Sequence, residues 1–152
     1  MTQATRPRYL DPESPLTLGE GLAEFCAVNP GLIPADDPQI RELVRAHDAC
    51  HVLFALTTSL EDEALADTWT IFGTTVTLRQ YRKYLEHEQF TALIREAGAW
   101  KLLTGTLRAV PRILRAIRRA RKMPEKWPFF DYARFLNTPI AALRQRFGVQ
   151  PV

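Results

Sequence analysis

Hydrophobic residues recur every three or four positions through most of the chain, the spacing that places them on one face of an α-helix. Short breaks rich in proline, threonine and glycine separate these segments, and no pair of alternating segments predicts a β-hairpin. The pattern therefore predicts an all-α protein. The expected helices are Leu16–Cys26, Asp37–Leu56, Leu60–Phe72, Leu78–Glu88, Phe90–Leu107, Arg112–Met123 and a last helix that Thr138 and Pro139 open and Gly148 closes.

Two breaks in the pattern have a clear chemical cause. After the break that follows the second helix, either Thr58 with Glu61 or Ser59 with Asp62 can cap a new helix start reciprocally. Pro111 is expected to kink or restart the chain, because proline removes a helical hydrogen bond.

The composition agrees with one compact multi-helix domain. The chain has 152 residues, 46% of them hydrophobic, and only seven glycines, which are few for a β-sandwich or barrel built on tight turns. Residues 1–15 are expected to be a flexible N-terminal arm and residues 16–152 a single helical domain. Neither a signal peptide nor a membrane-spanning segment is predicted, and Cys26 and Cys50 are expected to be reduced cytosolic thiols.

Two histidines continue the apolar stripe of the second predicted helix. Ile40, Val44, His47 and His51 follow one another at steps of four, three and four, so both imidazoles are expected to point inward. One helical turn separates the histidines, which lets both rings bind one cation. Asp48 lies on the same side of the helix.

Glu63 is placed to supply a further ligand. About three residues join its helix to the histidine helix, which favours an antiparallel hairpin with Glu63 level with His51. A carboxylate on that face is costly to bury without a cation or proton. We therefore expect a divalent metal site of two imidazoles and one or two carboxylates, open to solvent or substrate. Zinc, Fe(II) and Mn(II) all suit such ligands, and the absence of thiolates argues against a closed structural zinc site.

Other interpretations of these residues stay open. Inward histidines are often hydrogen-bonded core residues, and acidic residues are common at a helix start. A zinc protease of the familiar type has glutamate directly after the first histidine, where this chain has Asp48. A metal-dependent hydrolase built on the adjacent His47 and Asp48 is a weaker alternative, because no histidine precedes His47.

The spacing of these residues resembles the motif of the Coq-four family of ubiquinone (coenzyme Q) biosynthesis proteins. In this chain the motif is His47-Asp48-x-x-His51, followed after eleven residues by Glu63. The turn after the second histidine and the C-terminal residues 139–151 are also similar to that family. The resemblance implies an all-helical fold and a metal held by all four motif residues. Asp48 would be a ligand, or a catalytic base oriented beside a ligand.

The resemblance also implies a function. It predicts a peripheral protein on the inner face of the cytoplasmic membrane that binds a polyprenylated quinone precursor or another isoprenoid lipid. The activity associated with the family replaces the C1 carboxylate of a prenylated hydroxybenzoate by hydroxyl, with zinc, or with iron or manganese if the metal is redox-active. The family is alternatively described as a non-catalytic lipid-binding scaffold for other quinone-biosynthesis proteins. A homodimer is compatible with either role.

This chain departs from the family pattern at two positions. Ala55 and Asp62 stand where the family is expected to have glycine. Neither departure removes an expected ligand, but both lie in the segment that joins the two helices of the motif.

The charge is unevenly distributed although its sum is only +3. Residues 1–100 hold eight Lys/Arg against fifteen Asp/Glu, whereas residues 101–126 hold nine Lys/Arg against one Glu. Five of these cations step along one helix face: Arg108, Arg112, Arg115, Arg119 and Lys122.

This cationic stripe has three interpretations. It is a solvated helix face, a surface for a protein partner or ligand anion, or a surface that docks on an anionic membrane. In the last case Trp127, Phe129 and Phe130 are expected to anchor at the interface. No recognised nucleic-acid fold or aromatic platform accompanies the charge, so nucleic acid is not an expected partner.

Overall fold

The computed structural model describes residues 6–30, 38–85 and 99–152. The six α-helices among them are α1 (Leu18–Val28), α2 (Pro38–Phe54), α3 (Leu60–Gly73), α4 (Leu78–Leu85), α5 (Ala99–Lys122) and α6 (Ile140–Phe147), with 3₁₀ helices at Arg8–Leu10 and Phe129–Phe135. The described residues contain two isolated β-bridges and no strand, which confirms the all-α prediction. The predicted helix start at Asp37 and the predicted helical residues 86–98 lie outside the described residues.

Side-chain caps explain where α1 and α3 begin. Thr17 and Glu20 form a complete capping box at α1, which starts the helix at Leu18, two residues later than predicted. At α3 the Ser59 hydroxyl accepts from the Asp62 amide at 3.3 Å, so Ser59 is the residue that caps the helix. No helix in the described part of the chain is long and apolar enough to span a membrane.

Helix α5 continues through Pro111, so the expected restart of the chain there is wrong. Proline removes its own amide donor and leaves the carbonyl four residues earlier, that of Leu107, without a helical partner. Both Pro111 and Leu107 are exposed to solvent, so water can donate to that carbonyl. Pro111 is therefore tolerated inside α5, because it lies on the solvent-exposed face of the helix.

Helix α3 packs along α5 and against α2 at the centre of the molecule. The inner face of α5 carries the buried alanines Ala109, Ala116 and Ala120, whose small side chains permit close helix packing. Phe54, the last residue of α2, stacks on Trp69 with ring centroids 4.4 Å apart. Because Trp69 lies nine residues into α3, the two helices cross rather than running side by side along their whole length.

Residues 6–15, which belong to the segment expected to be a flexible arm, pack against the helical core. Tyr9 and Leu10 are buried, and the Tyr9 hydroxyl donates to the Leu56 carbonyl at 3.2 Å. The core of the described chain therefore begins before residue 16.

Arg144 of α6 connects this N-terminal segment to α2. Its buried guanidinium donates to the carbonyls of Val52 and Leu53 at 3.0 and 2.8 Å and to that of Tyr9 at 2.8 Å. It also donates to the carbonyls of Asp11 and Pro12. The last carbonyls of a helix have no partner within it, so Arg144 satisfies two of them directly after His51 and holds this end of α2 in place.

The last helix ends as predicted at Gly148, whose φ of 65° is the left-handed conformation that glycine adopts readily. A β-carbon at this position would lie 2.6 Å from Cδ of Pro124. At the other end, the helix begins at Ile140 and no side chain caps it. The Ile140 amide donates instead to the Leu16 carbonyl at 2.8 Å, so the N-terminal region replaces the expected cap at Thr138.

Candidate metal centre

His47 and His51 lie on the buried face of α2, as their spacing predicts. Their side chains are 4% and 1% exposed, and their Nε2 atoms are 3.3 Å apart. Two ring nitrogens that face each other at this distance need a proton or a cation between them, because both lone pairs would otherwise repel. The Nδ1 atom of His51 is buried and has no hydrogen-bond partner among the described residues.

Glu63 completes the cluster from the first turn of α3. Its Oε2 atom lies 3.6 Å from Nε2 of His47 and 3.5 Å from Nε2 of His51. Five residues separate α2 from α3, and the crossing of the two helices directs this carboxylate at both imidazoles. Among the described residues, these three side chains form the group whose arrangement can hold a metal ion.

The separations of 3.3, 3.5 and 3.6 Å fit three corners of a tetrahedron around one metal ion. Bonds of about 2.1 Å, typical of zinc with imidazole and carboxylate, give tetrahedron edges of about 3.4 Å. An octahedral centre with bonds of about 2.1 Å brings neighbouring ligands to about 3.0 Å. The spacing therefore fits tetrahedral zinc better than octahedral Fe(II) or Mn(II), and among the described residues no fourth ligand joins the three.

Buried aromatic rings hold the imidazoles on two sides. Phe25 of α1 stacks on His51 with centroids 5.1 Å apart and planes inclined by 28°. Tyr81 of α4 lies against His47 with centroids 6.3 Å apart. Because both aromatic residues are almost wholly buried, the two imidazole rings have little freedom to rotate away from Glu63.

The electrostatics of the site favour a positive charge at the imidazoles. Burial raises the pKa of Glu63, but the neighbouring imidazoles of His47 and His51 outweigh burial and lower this pKa to about 2. Burial lowers the pKa of His47, but Glu63, with smaller contributions from Asp67 and Asp48, raises it above its usual value. A proton or a metal ion can supply the charge that these carboxylates stabilise.

Asp48 does not join the three ligand atoms, in contrast to the ligand set that the resemblance implies. It lines a cleft of about 290 Å³ beside α1, together with Cys26, Arg45 and Tyr132. Burial raises the pKa of Asp48, while the charges of His47 and His51 act in the opposite direction. Asp48 therefore influences the imidazoles through its charge and not as one of the converging ligands.

Asp67 and Tyr81 lie beside the three ligands, and the sequence analysis did not predict either residue as part of the site. The Tyr81 hydroxyl donates to a carboxylate oxygen of Asp67. Asp67 follows Glu63 by four residues and so lies one turn further along the same face of α3. That spacing was visible in the sequence, whereas the approach of Tyr81 from α4 depends on the tertiary fold.

The cationic stripe of α5 divides into an outer and an inner part. Arg108, Arg115 and Lys122 are exposed. Arg112 pairs with Asp62 at 2.8 Å and donates to the Val152 carbonyl at 3.0 Å.

Arg119 belongs to the inner part of the stripe, because it donates to the carbonyls of Gln150 and Pro151. The expected anchors Trp127 and Phe129 are wholly buried in the core, so they cannot reach an interface, and Phe130 is partly buried. The aromatic segment therefore belongs to the domain and not to a membrane surface.

The outer face of α5 has other residues that the stripe did not include. Leu107 and Leu114 are 62% and 63% exposed, and Val110 lies beside them at 39%. Arg118 and Arg121 are exposed near the C-terminal end of the helix. We call this surface the outer α5 face; it comprises Leu107, Arg108, Val110, Leu114, Arg115, Arg118, Arg121 and Lys122.

No protein-family model, curated protein or solved structure matches the chain.

Proposed function

We propose that this protein binds one divalent metal ion, most suitably zinc, through His47, His51 and Glu63. The observation that carries this proposal is the convergence of three ligand atoms from two helices at the separations of a tetrahedral centre. Without a cation, two imidazole nitrogens and a carboxylate oxygen face one another in a buried place, and only a bound proton would relieve the repulsion among their lone pairs. The buried rings of Phe25 and Tyr81 support the same assignment, because they hold the ligands in position before binding.

The proposed substrate is a polyprenylated hydroxybenzoate in ubiquinone biosynthesis, and the proposed reaction takes place at ring C1. This part rests on the resemblance of the histidine and glutamate spacing to the Coq-four family. Replacement of the ring carboxylate by hydroxyl breaks the C1–carboxylate bond with release of carbon dioxide and joins C1 to one atom of dioxygen. Two electrons from an external donor, with two protons, reduce the other oxygen atom to water. A bound metal would supply Lewis acidity toward the ring carboxylate or phenolate, and the oxidative step would require iron or manganese in the same site because zinc does not change its oxidation state. The described residues supply three ligands, so a fourth coordination position would be available to the substrate.

We propose further that the outer α5 face docks on an anionic membrane, which would place the protein at the inner face of the cytoplasmic membrane. Exposed leucines beside several arginines are typical of surfaces that insert shallowly among lipid headgroups. A polyprenylated substrate resides in the bilayer, so a membrane-docked protein would meet it there.

The experiment uses prenylated hydroxybenzoate carrying ¹⁴C in its carboxylate, presented in vesicles with dissolved oxygen and an electron donor. The metal-loaded wild-type protein is expected to release labelled carbon dioxide and form the hydroxylated ring. The variant Glu63→Ala is expected to lose this activity, and Glu61→Gln, which removes a charge from the same helix, is expected to retain it. Absence of turnover with zinc, iron and manganese in turn would overturn the catalytic proposal.

A second candidate is a non-catalytic scaffold for other quinone-biosynthesis proteins. The exposed apolar residues of the outer α5 face favour it, because neighbouring exposed residues such as Leu107, Val110 and Leu114 are typical of surfaces that bind another protein or a membrane. A scaffold would bind the prenylated lipid equally well with and without metal and would release no labelled carbon dioxide. The same assay therefore separates the two candidates.

A further inference from the structure

Asp67 and Tyr81 form a hydrogen-bonded pair beside the three ligands, and the proposed function does not use this pair. Tyr81 is 1% exposed, and its hydroxyl donates to Asp67 across the interface between α4 and α3. Its ring is inclined by 34° to the ring of His47. Three helices therefore meet at this histidine: α2 carries it, α3 carries the carboxylate and α4 carries the tyrosine that joins them.

The position of Asp67 calls for a cation nearby. Its carboxylate is half-buried, and burial of a carboxylate is unfavourable unless a positive charge compensates for it. No lysine or arginine of the described residues forms an ion pair with it. Asp48, the other acid near the imidazoles, differs because Arg45 acts on it as a neighbouring cation. The groups whose charge acts favourably on Asp67 are His47 and His51.

The charge of a loaded site explains this arrangement. A dication bound by two neutral imidazoles and Glu63 retains one uncompensated positive charge in a largely buried place. A second carboxylate one helical turn from Glu63 balances that charge without occupying a coordination position. Asp67 is the half-buried carboxylate that α3 places there.

We propose that Asp67, held by Tyr81, is a positioning residue of the metal centre. Its carboxylate compensates the charge of the bound dication, and the tyrosine that it fixes holds the ring of His47 in its binding orientation. This inference rests on the proposed metal centre. It predicts that both residues strengthen metal binding although neither coordinates the ion.

The test measures zinc affinity by competition with a chelator, and it records the visible spectrum of the cobalt(II)-loaded protein. Asp67→Asn is expected to weaken zinc binding by about 10- to 100-fold, the usual effect of losing a group that supports a ligand. Tyr81→Phe is expected to weaken it by a smaller factor, and the double variant is expected to bind no more weakly than Asp67→Asn alone, since the two residues act together. Asp67→Glu is expected to restore part of the affinity and the wild-type cobalt spectrum.

Glu61→Gln is the matched control, because it removes the same charge from the same helix. The inference is overturned if Asp67→Asn binds zinc as tightly as this control and gives the wild-type cobalt spectrum. Circular dichroism of the metal-free proteins checks folding, and if Asp67→Asn does not fold, Tyr81→Phe decides the outcome because it removes only a hydroxyl. Normal zinc binding by His51→Ala would instead refute the proposed metal centre itself, so the two failures are distinguishable.

Discussion

Ala55 ends α2 with a backbone conformation that alanine adopts only with strain. Its φ is 57°, in the left-handed region, and the turn allows the Leu56 amide to donate to the His51 carbonyl at 2.9 Å. A non-glycine residue in this conformation costs roughly 1–2 kcal/mol. This strained turn closes the helix one turn after a proposed metal ligand, at the position where the resembling family is expected to have glycine.

We predict that Ala55→Gly stabilises the protein by about 0.5–1 kcal/mol, because relief of the strained conformation outweighs the larger conformational entropy of glycine in the unfolded chain. Urea unfolding measures the change. Ala64→Gly is the control, since it introduces glycine into the ordinary conformation of α3 and is expected to destabilise by about 1 kcal/mol. Destabilisation by both substitutions would show that Ala55 is not strained.

The metal-free site is predicted to have a characteristic pH dependence. Glu63 has a lowered pKa, so its contribution to stability is present above its unfolded value of 4.5 and is lost as the pH falls toward about 2. His47 has a raised pKa, so its contribution is present below its unfolded value of 6.5 and is lost as the pH rises through the folded value. Between pH 6 and 8 the metal-free wild type should therefore lose stability relative to Glu63→Gln.

Zinc affinity is expected to rise between pH 6 and 8, because the metal must displace the proton from His47 and that proton is bound less often at higher pH. Thermal unfolding without metal and chelator competition with zinc, both at pH 6, 7 and 8, measure the two trends. Zinc affinity that is the same at all three pH values would contradict the assignment of His47 as a ligand.

At the scale of elements, Asp62 and Arg112 connect the turn before α3 to α5. Asp62 accepts from the amide and hydroxyl of Thr57 at 2.9 and 2.7 Å, and Arg112 pairs with its other oxygen. The side chain of Asp62 is only 12% exposed, so Arg112 provides the compensating charge. This contact fixes the turn that brings Glu63 to the histidines.

We predict that Arg112→Met destabilises the protein by about 1.5–3 kcal/mol, the usual effect of breaking hydrogen bonds to a charged group that stays buried. Arg115→Met is the control on the exposed side of the same helix and should change stability by less than about 0.5 kcal/mol. Urea unfolding measures both. Equal effects would show that Arg112 is a solvated surface residue after all.

The elements show what sequence patterns can and cannot predict here. The helical period predicted α1 to α4 and the inward histidines, because helix spacing is a local property. Glu63 was predicted from the short connection between α2 and α3, although these helices cross and do not run side by side as the expected hairpin. Tyr81, which meets Asp67 across α4 and α3, could not be predicted, because that contact depends on tertiary packing. The period also could not tell that Arg112 and Arg119 turn inward, since a long cationic side chain reaches either water or an internal carbonyl from the same helix face.

At the scale of the whole molecule, charge and exposed apolar surface occur together on the outer α5 face. Residues 1–100 are net acidic, whereas residues 101–126 hold nine of the twenty Lys/Arg and a single Glu. An acidic body with one basic face has a preferred orientation toward an anionic surface. The candidate metal centre lies between α2 and α3, and α3 packs against the inner side of the same α5 helix.

We predict that the double variant Arg115→Glu and Arg118→Glu weakens binding to phosphatidylglycerol-containing vesicles by at least about 10-fold, because each cation near an anionic surface contributes about 1 kcal/mol. Vesicle co-sedimentation measures it. Arg8→Glu with Arg134→Glu changes the net charge equally at exposed positions away from α5 and should have a smaller effect. Equal weakening by both pairs would contradict a specific docking face.

The central claim is that His47, His51 and Glu63 bind one metal ion without Asp48. Elemental analysis of the purified wild-type protein beside His47→Ala, Glu63→Ala and Asp48→Asn tests it most directly. The structure predicts about one equivalent of zinc in the wild type and in Asp48→Asn, and little in the other two variants. Equal metal content in all four proteins would contradict the metal centre, and loss of metal from Asp48→Asn would contradict its exclusion from the ligand set.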